Sequence, residues 1–231
     1  MPHAVIVAHG QPSDPTPAEV SLAEFARSVG VLTPDISVHS ATLAAPNALE
    51  NCLDELPDGA TIYPLFMAKG WFVNNALPKR IGSRNVSVLD PLGVDPELPA
   101  LVWDALHKFL ELNKWTAVEV DLVIAAHGSG RSQNPGKVAQ EFASRLKSFG
   151  SFKSIRTGFV EQPPSIAEAA AGTESKSICL PFFACTGGHV LEDVPQELAR
   201  AGFNGHVMPV VGELPRVQQH IADRLNQLSA E

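Results

Sequence analysis

Thiols are scarce in this 231-residue chain. It has three cysteines, Cys52, Cys179 and Cys185, and no CxxC pair. An odd, unpaired set excludes a disulfide framework and argues against a thiolate zinc site, so the cysteines read as packing residues. Cys185 stands nearest to a candidate ligand, His189. A basic excess is missing too. The 17 Lys and Arg are outnumbered by 25 Asp and Glu, for a formal charge of −8, which leaves no electrostatic footprint for nucleic acid or an anionic membrane. No apolar run is long enough to span a bilayer, and no basic stretch leads into Ala4-Val5-Ile6-Val7, so the cytoplasm is the expected compartment. The chain also lacks GxSxG, GxxxxGK followed by Ser or Thr, and GxGxxG after a strand. That removes a hydrolase built on a nucleophile elbow, despite the oxyanion-like run His127-Gly128-Ser129-Gly130, and removes a phosphate-cradling nucleotide site.

What the chain does contain is itself, twice. Ile6-Val7-Ala8-His9-Gly10 recurs as Ile124-Ala125-Ala126-His127-Gly128, a shift of 118 (9 to 127). The run Tyr63 to Val73 recurs as Leu180 to Val190 at a shift of 117 (72 to 189), and Glu24-Phe25-Ala26, Pro46 and Pro78 recur as Glu141-Phe142-Ala143, Pro163 and Pro195. Two similar domains are therefore expected, residues 1–116 and 117–231.

Within each repeat the periodicity predicts four strand–helix pairs. Short runs apolar on both faces, Ala4 to Ala8 and Leu122 to Ala126, read as strands buried between helices. Each leads through a Pro/Gly/Ser-rich loop into an amphipathic stretch, Ala18 to Val29 or Lys137 to Phe149. Alternation of this kind predicts an α/β fold: two tandem flavodoxin- or Rossmann-like domains, each a four-stranded parallel sheet with helices on both faces. Ligands in such sheets sit beyond the carboxyl ends of the strands.

The repeats differ where chemistry is concerned. The second has Glu161 and His189; the first has Ala44 and Phe72 at those places. A scaffold that folds with Ala and Phe there does not need the polar pair for folding. His127, Glu161 and His189 each follow a predicted strand end, and two imidazoles with one carboxylate make an open N/N/O set for a divalent transition metal. His9 is retained in the first repeat, either as a structural residue or as a substrate contact. Gly187 and Gly188, beside His189, would let a bulky ligand approach the backbone. Trp71, Phe72, Phe182 and Phe183 are candidate walls for a flat ligand, and Ser129 lies in the loop after His127. Arg131, Lys137 and Arg156, with Lys69, Lys79 and Arg80 in the first repeat, are the available cations. Glu192 and Asp193, just beyond His189, could attract metal ions before insertion, but they open the next helix and suit its dipole. The other histidines, His3, His39, His107, His206 and His220, read as structural or surface.

The segments Ala126-His127-Gly128-Ser129, Phe159-Val160-Glu161 and Gly187-Gly188-His189-Val190-Leu191-Glu192-Asp193-Val194-Pro195 resemble the CbiX-type sirohydrochlorin chelatases, across almost the whole chain. The resemblance implies an enzyme, a lyase that inserts Co²⁺ or Fe²⁺ into a tetrapyrrole on the way to cobalamin or sirohaem, with Ni²⁺ also within range. It carries metal-holding and proton-accepting roles onto His127, His189 and Glu161. It implies no organic cofactor and names a sirohydrochlorin-like macrocycle as partner, with His9, Ser129, Arg131, Trp71, Phe72, Gly187 and Gly188 expected to contact it. Monomer and homo-oligomer both remain open. The departure is in the first repeat, where Lys69-Gly70-Trp71-Phe72 replaces the ligand loop. That degeneracy leaves a competing reading, a non-catalytic metal or tetrapyrrole carrier on a duplicated chelatase scaffold.

Overall fold

A computed structural model describes residues 1–228 and contains two four-stranded parallel sheets of the same topology. The first is ordered β2-β1-β3-β4, from β1 (His3–Ala8), β2 (Ser37–Thr42), β3 (Ala60–Pro64) and β4 (Val86–Val88). The second is β6-β5-β7-β8, from β5 (Asp121–Ala126), β6 (Ser154–Phe159), β7 (Ser177–Phe182) and β8 (His206–Val207). The opening strand is central in each, flanked by the two strands that follow it, so the crossover direction reverses beside it. That reversal opens a crevice at the strands' carboxyl ends.

Helices α1 (Pro15–Val31), α2 (Ala48–Asp54), α3 (Leu77–Ile81) and α4 (Leu98–Asn113) alternate with the first four strands, and α5 (Asn134–Leu146), α6 (Ile166–Ala170), α7 (Val194–Arg200) and α8 (Pro215–Leu228) with the rest. Alternate strand residues feed opposite layers. In the first sheet Val5, Val7, Ala41 and Ile62 pack with Leu49, Leu53, Leu77 and Ile81 of α2 and α3. In the second, Val123, Ala125 and Cys179 pack with Ile166, Ala169, Val194 and Leu198 of α6 and α7. Every residue of β5 and β7 is buried, and after the opening Asp121 and Ser177 each strand runs on in apolar residues, as strands between two helical layers require.

The compact units do not share their ends with the sequence repeats. One unit is Met1–Asp95 with the chain from Val217 on, and the other is Pro96–Arg216. Division at 1–116 and 117–231 follows the duplication; the units follow packing, and the closing helices are exchanged. Trp103 and His220 hold equivalent repeat positions (103 and 220) and show why. On α4, Trp103 meets Phe152 edge-on at a ring-centroid distance of 5.9 Å and fills the space left by Gly150, where a Cβ would lie 2.2 Å from the indole. On α8, His220 is nearly buried and bonds through Nε2 to the Asp95 carboxylate at 2.9 Å. A repeat pattern reports that an apolar helix face exists, not which sheet it covers.

No helix among the described residues is long and apolar enough to cross a membrane.

Candidate metal and active site

Backbone pairing that outruns the strands builds the site. Beyond β5 and β6 the ladder continues, with Val160 N–H donating to Ala126 O at 3.0 Å and Glu161 N–H to His127 O at 2.9 Å. Glu161 is thereby locked beside His127. The first repeat does the same: Leu43 N–H donates to Ala8 O at 2.9 Å and Ala44 N–H to His9 O at 2.8 Å. The frame is common to both repeats, and only the second furnishes it with a carboxylate.

His189 arrives from β7 by a different device. A five-residue π-helical turn, His189–Asp193, precedes α7, and Val194 N–H closes it onto His189 O. Phe72–Ala76 forms the matching turn in the first repeat, closed by Leu77 N–H onto Phe72 O. Turns of this kind are uncommon and concentrate at functional sites. Each presents its first side chain to the residue just after the central strand. His127 and His189 stand edge-on with ring centroids 4.4 Å apart, and His9 and Phe72 lie 3.9 Å apart.

One donor atom each from His127, Glu161 and His189 lies within 4.8 Å of the others, the only such group of three among the described residues. Donors around a tetrahedral ion with bonds near 2.1 Å are roughly 3.4 Å apart. Three donor atoms that close to one another are near enough to share one small ion. All three are about half exposed, between 41% and 48% by side chain, so solvent and ligand reach them.

Their partners decide which nitrogen is free. His127 Nδ1 lies 3.0 Å from Gly128 O, and a carbonyl only accepts, so Nδ1 carries the proton and Nε2 keeps its lone pair. The Glu161 carboxylate is 3.8 Å from that Nδ1, too far for a hydrogen bond. His189 Nδ1 lies 2.7 Å from Asp193 Oδ2.

Three supporting residues were not apparent as such in the sequence. Asp193 pairs with His189 instead of serving the helix dipole alone. Gln162 accepts Ser129 N–H at 2.9 Å and lies against Gly128. Gly128 is obligatory: its φ is +70°, and a Cβ there would stand 2.6 Å from Gln162 Cγ. Glu213 accepts Thr186 N–H at 2.6 Å and its hydroxyl at 2.9 Å, anchoring the glycine loop before His189. The spacing of His189 and Asp193, four apart where a helix begins, was a signal available for the first of these.

The remaining candidates divide. A Cβ on Gly187 or Gly188 would meet nothing within 4 Å, so the surface beside His189 is open, and the first repeat accepts Trp71 at the place of Gly188. Trp71 is 66% exposed and stands edge-on to Phe72 at 5.3 Å. His9 Nδ1 is buried with no hydrogen-bond partner. Ser129 Oγ accepts Arg131 N–H at 3.1 Å and Ser132 N–H at 3.2 Å, so it also holds the turn, while Arg131 is exposed. Phe182 and Phe183 are core: Phe182 packs on Phe142 at 4.6 Å and Phe183 joins the α6/α7 layer. Arg156 leaves the rim altogether, donating to Ala171 O at 2.7 Å and lying 3.6 Å from Asp121 at the start of β5. Arg80 is held by Glu50 and Leu43 O, and Lys69 pairs with Asp90 at 2.6 Å.

Burial pushes the Cys185 thiol up to about 11 and Cys179 to about 12, so neither offers a thiolate near neutral pH. His39 bonds to His3 at 3.1 Å and to Ser37 at 3.1 Å, and His206 stacks on Phe109 at 4.3 Å.

The sequence profile of the CbiX family matches residues 3–108 and 121–228, once on each repeat. A solved CbiX, described as the terminal enzyme for siroheme biosynthesis in denitrifying bacteria, is 41% identical, superposes with a TM-score of 0.85, and is covered over 98% of its length by 97% of this chain. A probable sirohydrochlorin cobaltochelatase of Halobacterium salinarum is 22% identical over 225 residues, 84% of this chain and 75% of its own. SirB from Bacillus subtilis, solved with Fe³⁺, shares the fold at 17% identity and a TM-score of 0.72, over 100% of this chain and 96% of its own.

Proposed function

This chain belongs to the CbiX family, and on that premise we propose that it is a chelatase inserting a divalent metal, Co²⁺ or Fe²⁺, into sirohydrochlorin or a near relative. The observation that carries the reading is the convergence of His127, Glu161 and His189 on one rim, in the one repeat of two that has all three.

The reaction exchanges two pyrrole N–H protons of the macrocycle for one M²⁺ ion. Both substrates must meet at a group that binds cations weakly and accepts protons near neutral pH. A neutral imidazole has both properties, with an ordinary pKa of about 6.5. Nε2 of His127 and of His189, with the Glu161 carboxylate, hold the ion at the rim with coordination positions left for water or pyrrole nitrogen. As the ring nitrogens take the ion, the released protons pass to the vacated imidazole and carboxylate and from there to solvent. Thiolate ligands would bind too firmly for hand-over, and the raised thiols of Cys179 and Cys185 keep them out of competition.

The macrocycle lies over the open backbone of Gly187 and Gly188, with exposed Arg131 available to its carboxylates and Ser129 shaping the loop. In the first repeat Trp71, Phe72 and His9 form an aromatic cluster of their own. The reaction class is that of a lyase, and the cytoplasm is the expected compartment.

The test is anaerobic mixing of purified protein with sirohydrochlorin and Co²⁺ in excess, followed by visible absorption. Many turnovers per protein are expected. A spectral change that stops at one equivalent would favour the carrier, which the Ala44 and Phe72 replacements of the first repeat keep in view.

A further inference from the structure

The two repeats are a natural double substitution. At repeat-equivalent places the second carries His189 and Asp193, and the first carries Phe72 and Ala76. Both pairs open and close the same π-helical turn, so the backbone supplies the same spacing in each. Acid and imidazole are present together in one copy and missing together in the other. A carboxylate retained for the helix dipole would have no reason to disappear with the histidine, because the first repeat's turn leads into a helix just as the second's does.

We infer that Asp193 is a positioning residue that presents His189 Nε2 to the metal. Its Oδ2 lies 2.7 Å from Nδ1. An ionised carboxylate only accepts, so the proton sits on Nδ1 and the lone pair on Nε2. The contact also fixes the ring plane, edge-on to His127. His127 achieves the same tautomer with a backbone carbonyl, that of Gly128. The site thus sets one imidazole by main chain and the other by side chain, and Asp193 is the partner that a substitution can remove. Carboxylate partners of this type commonly contribute 10–100-fold in metal affinity. The identity of the ion rests on the chelatase reading; the orientation of His189 does not.

Asp193→Ala installs the residue the first repeat already folds with, and Asp193→Asn preserves shape while offering an amide that can donate to Nδ1. Two readouts decide. Long-range ¹⁵N–¹H spectra of the metal-free protein at pH 8 should show His189 as the Nδ1-protonated tautomer in wild type and mixed or reversed in both variants. Co²⁺ titration should show affinity lower by about 10–100-fold in both, with Asp193→Glu recovering part of the loss. Unchanged tautomer and unchanged Co²⁺ affinity in the folded variants would overturn the inference. A wild type that binds Co²⁺ with the expected Asp193 dependence, yet never metallates sirohydrochlorin, would sink the chelatase reading and leave this one standing.

Discussion

Replacing His189 with the residue the first repeat carries separates chemistry from folding. In His189→Phe the π turn keeps its closing bond from Val194 N–H to residue 189's carbonyl, as the turn opened by Phe72 does. The side chain is 41% exposed, and an aromatic ring at that place already packs against a strand-end histidine at 3.9 Å in the first repeat. Stability should therefore change by no more than about 1 kcal/mol. Metal binding loses one of three donors. Loss of an outer partner alone costs 10–100-fold in affinity, so removing the ligand itself should cost at least about 100-fold, or ~2.7 kcal/mol. The assay pairs thermal unfolding with Co²⁺ titration and initial rates on sirohydrochlorin. His127→Ala should fall as far, and His9→Ala, in the repeat without the second imidazole, should fall less. A His189→Phe protein that folds and metallates at the wild-type rate would refute the assignment of the site.

Gly128→Ala should destabilise by about 1–3 kcal/mol and depress activity, because φ of +70° and a Cβ 2.6 Å from Gln162 Cγ force the His127 loop to shift; denaturant unfolding measures the first and initial rates the second. Burial, and then the neighbouring His3, hold the His39 imidazole below its ordinary pKa. Its folded pKa is depressed, so the neutral form is favoured on folding; the contribution is fully present above about pH 6.5 and is lost as pH falls through the lower folded value. His39→Gln should accordingly flatten the acid limb of a stability-against-pH curve, and an unchanged limb would contradict this.

Much of the fold is visible in the amino-acid order because buried parallel strands are written as unbroken apolar runs: Leu122 to Ala126 needs no tertiary knowledge to be read. Two of the three candidate ligands, Glu161 and His189, are visible for another reason. The internal copy supplies its own control, with Ala44 and Phe72 marking Glu161 and His189 as unnecessary for folding. What could not be read is what depends on spatial partners. The exchange of closing helices turns on Trp103 meeting Phe152 and His220 meeting Asp95, contacts remote in sequence. The π turns depend on one extra residue in a helical opening, which leaves the apolar pattern intact. Arg156 is a cation in the right repeat, but its strand position aims it at Asp121 and the far end of the sheet. Asp193 was visible as a charge four residues from His189, but the contact itself depends on the turn that brings it 2.7 Å from His189.

Assignment of the site to the second repeat is a statement about where the cation goes. Crystals soaked in Co²⁺ and measured at the cobalt absorption edge should show one strong anomalous peak in the second repeat, bonded to His127, His189 and Glu161. A peak at His9 in the first repeat, or one that ignores all three residues, would contradict it.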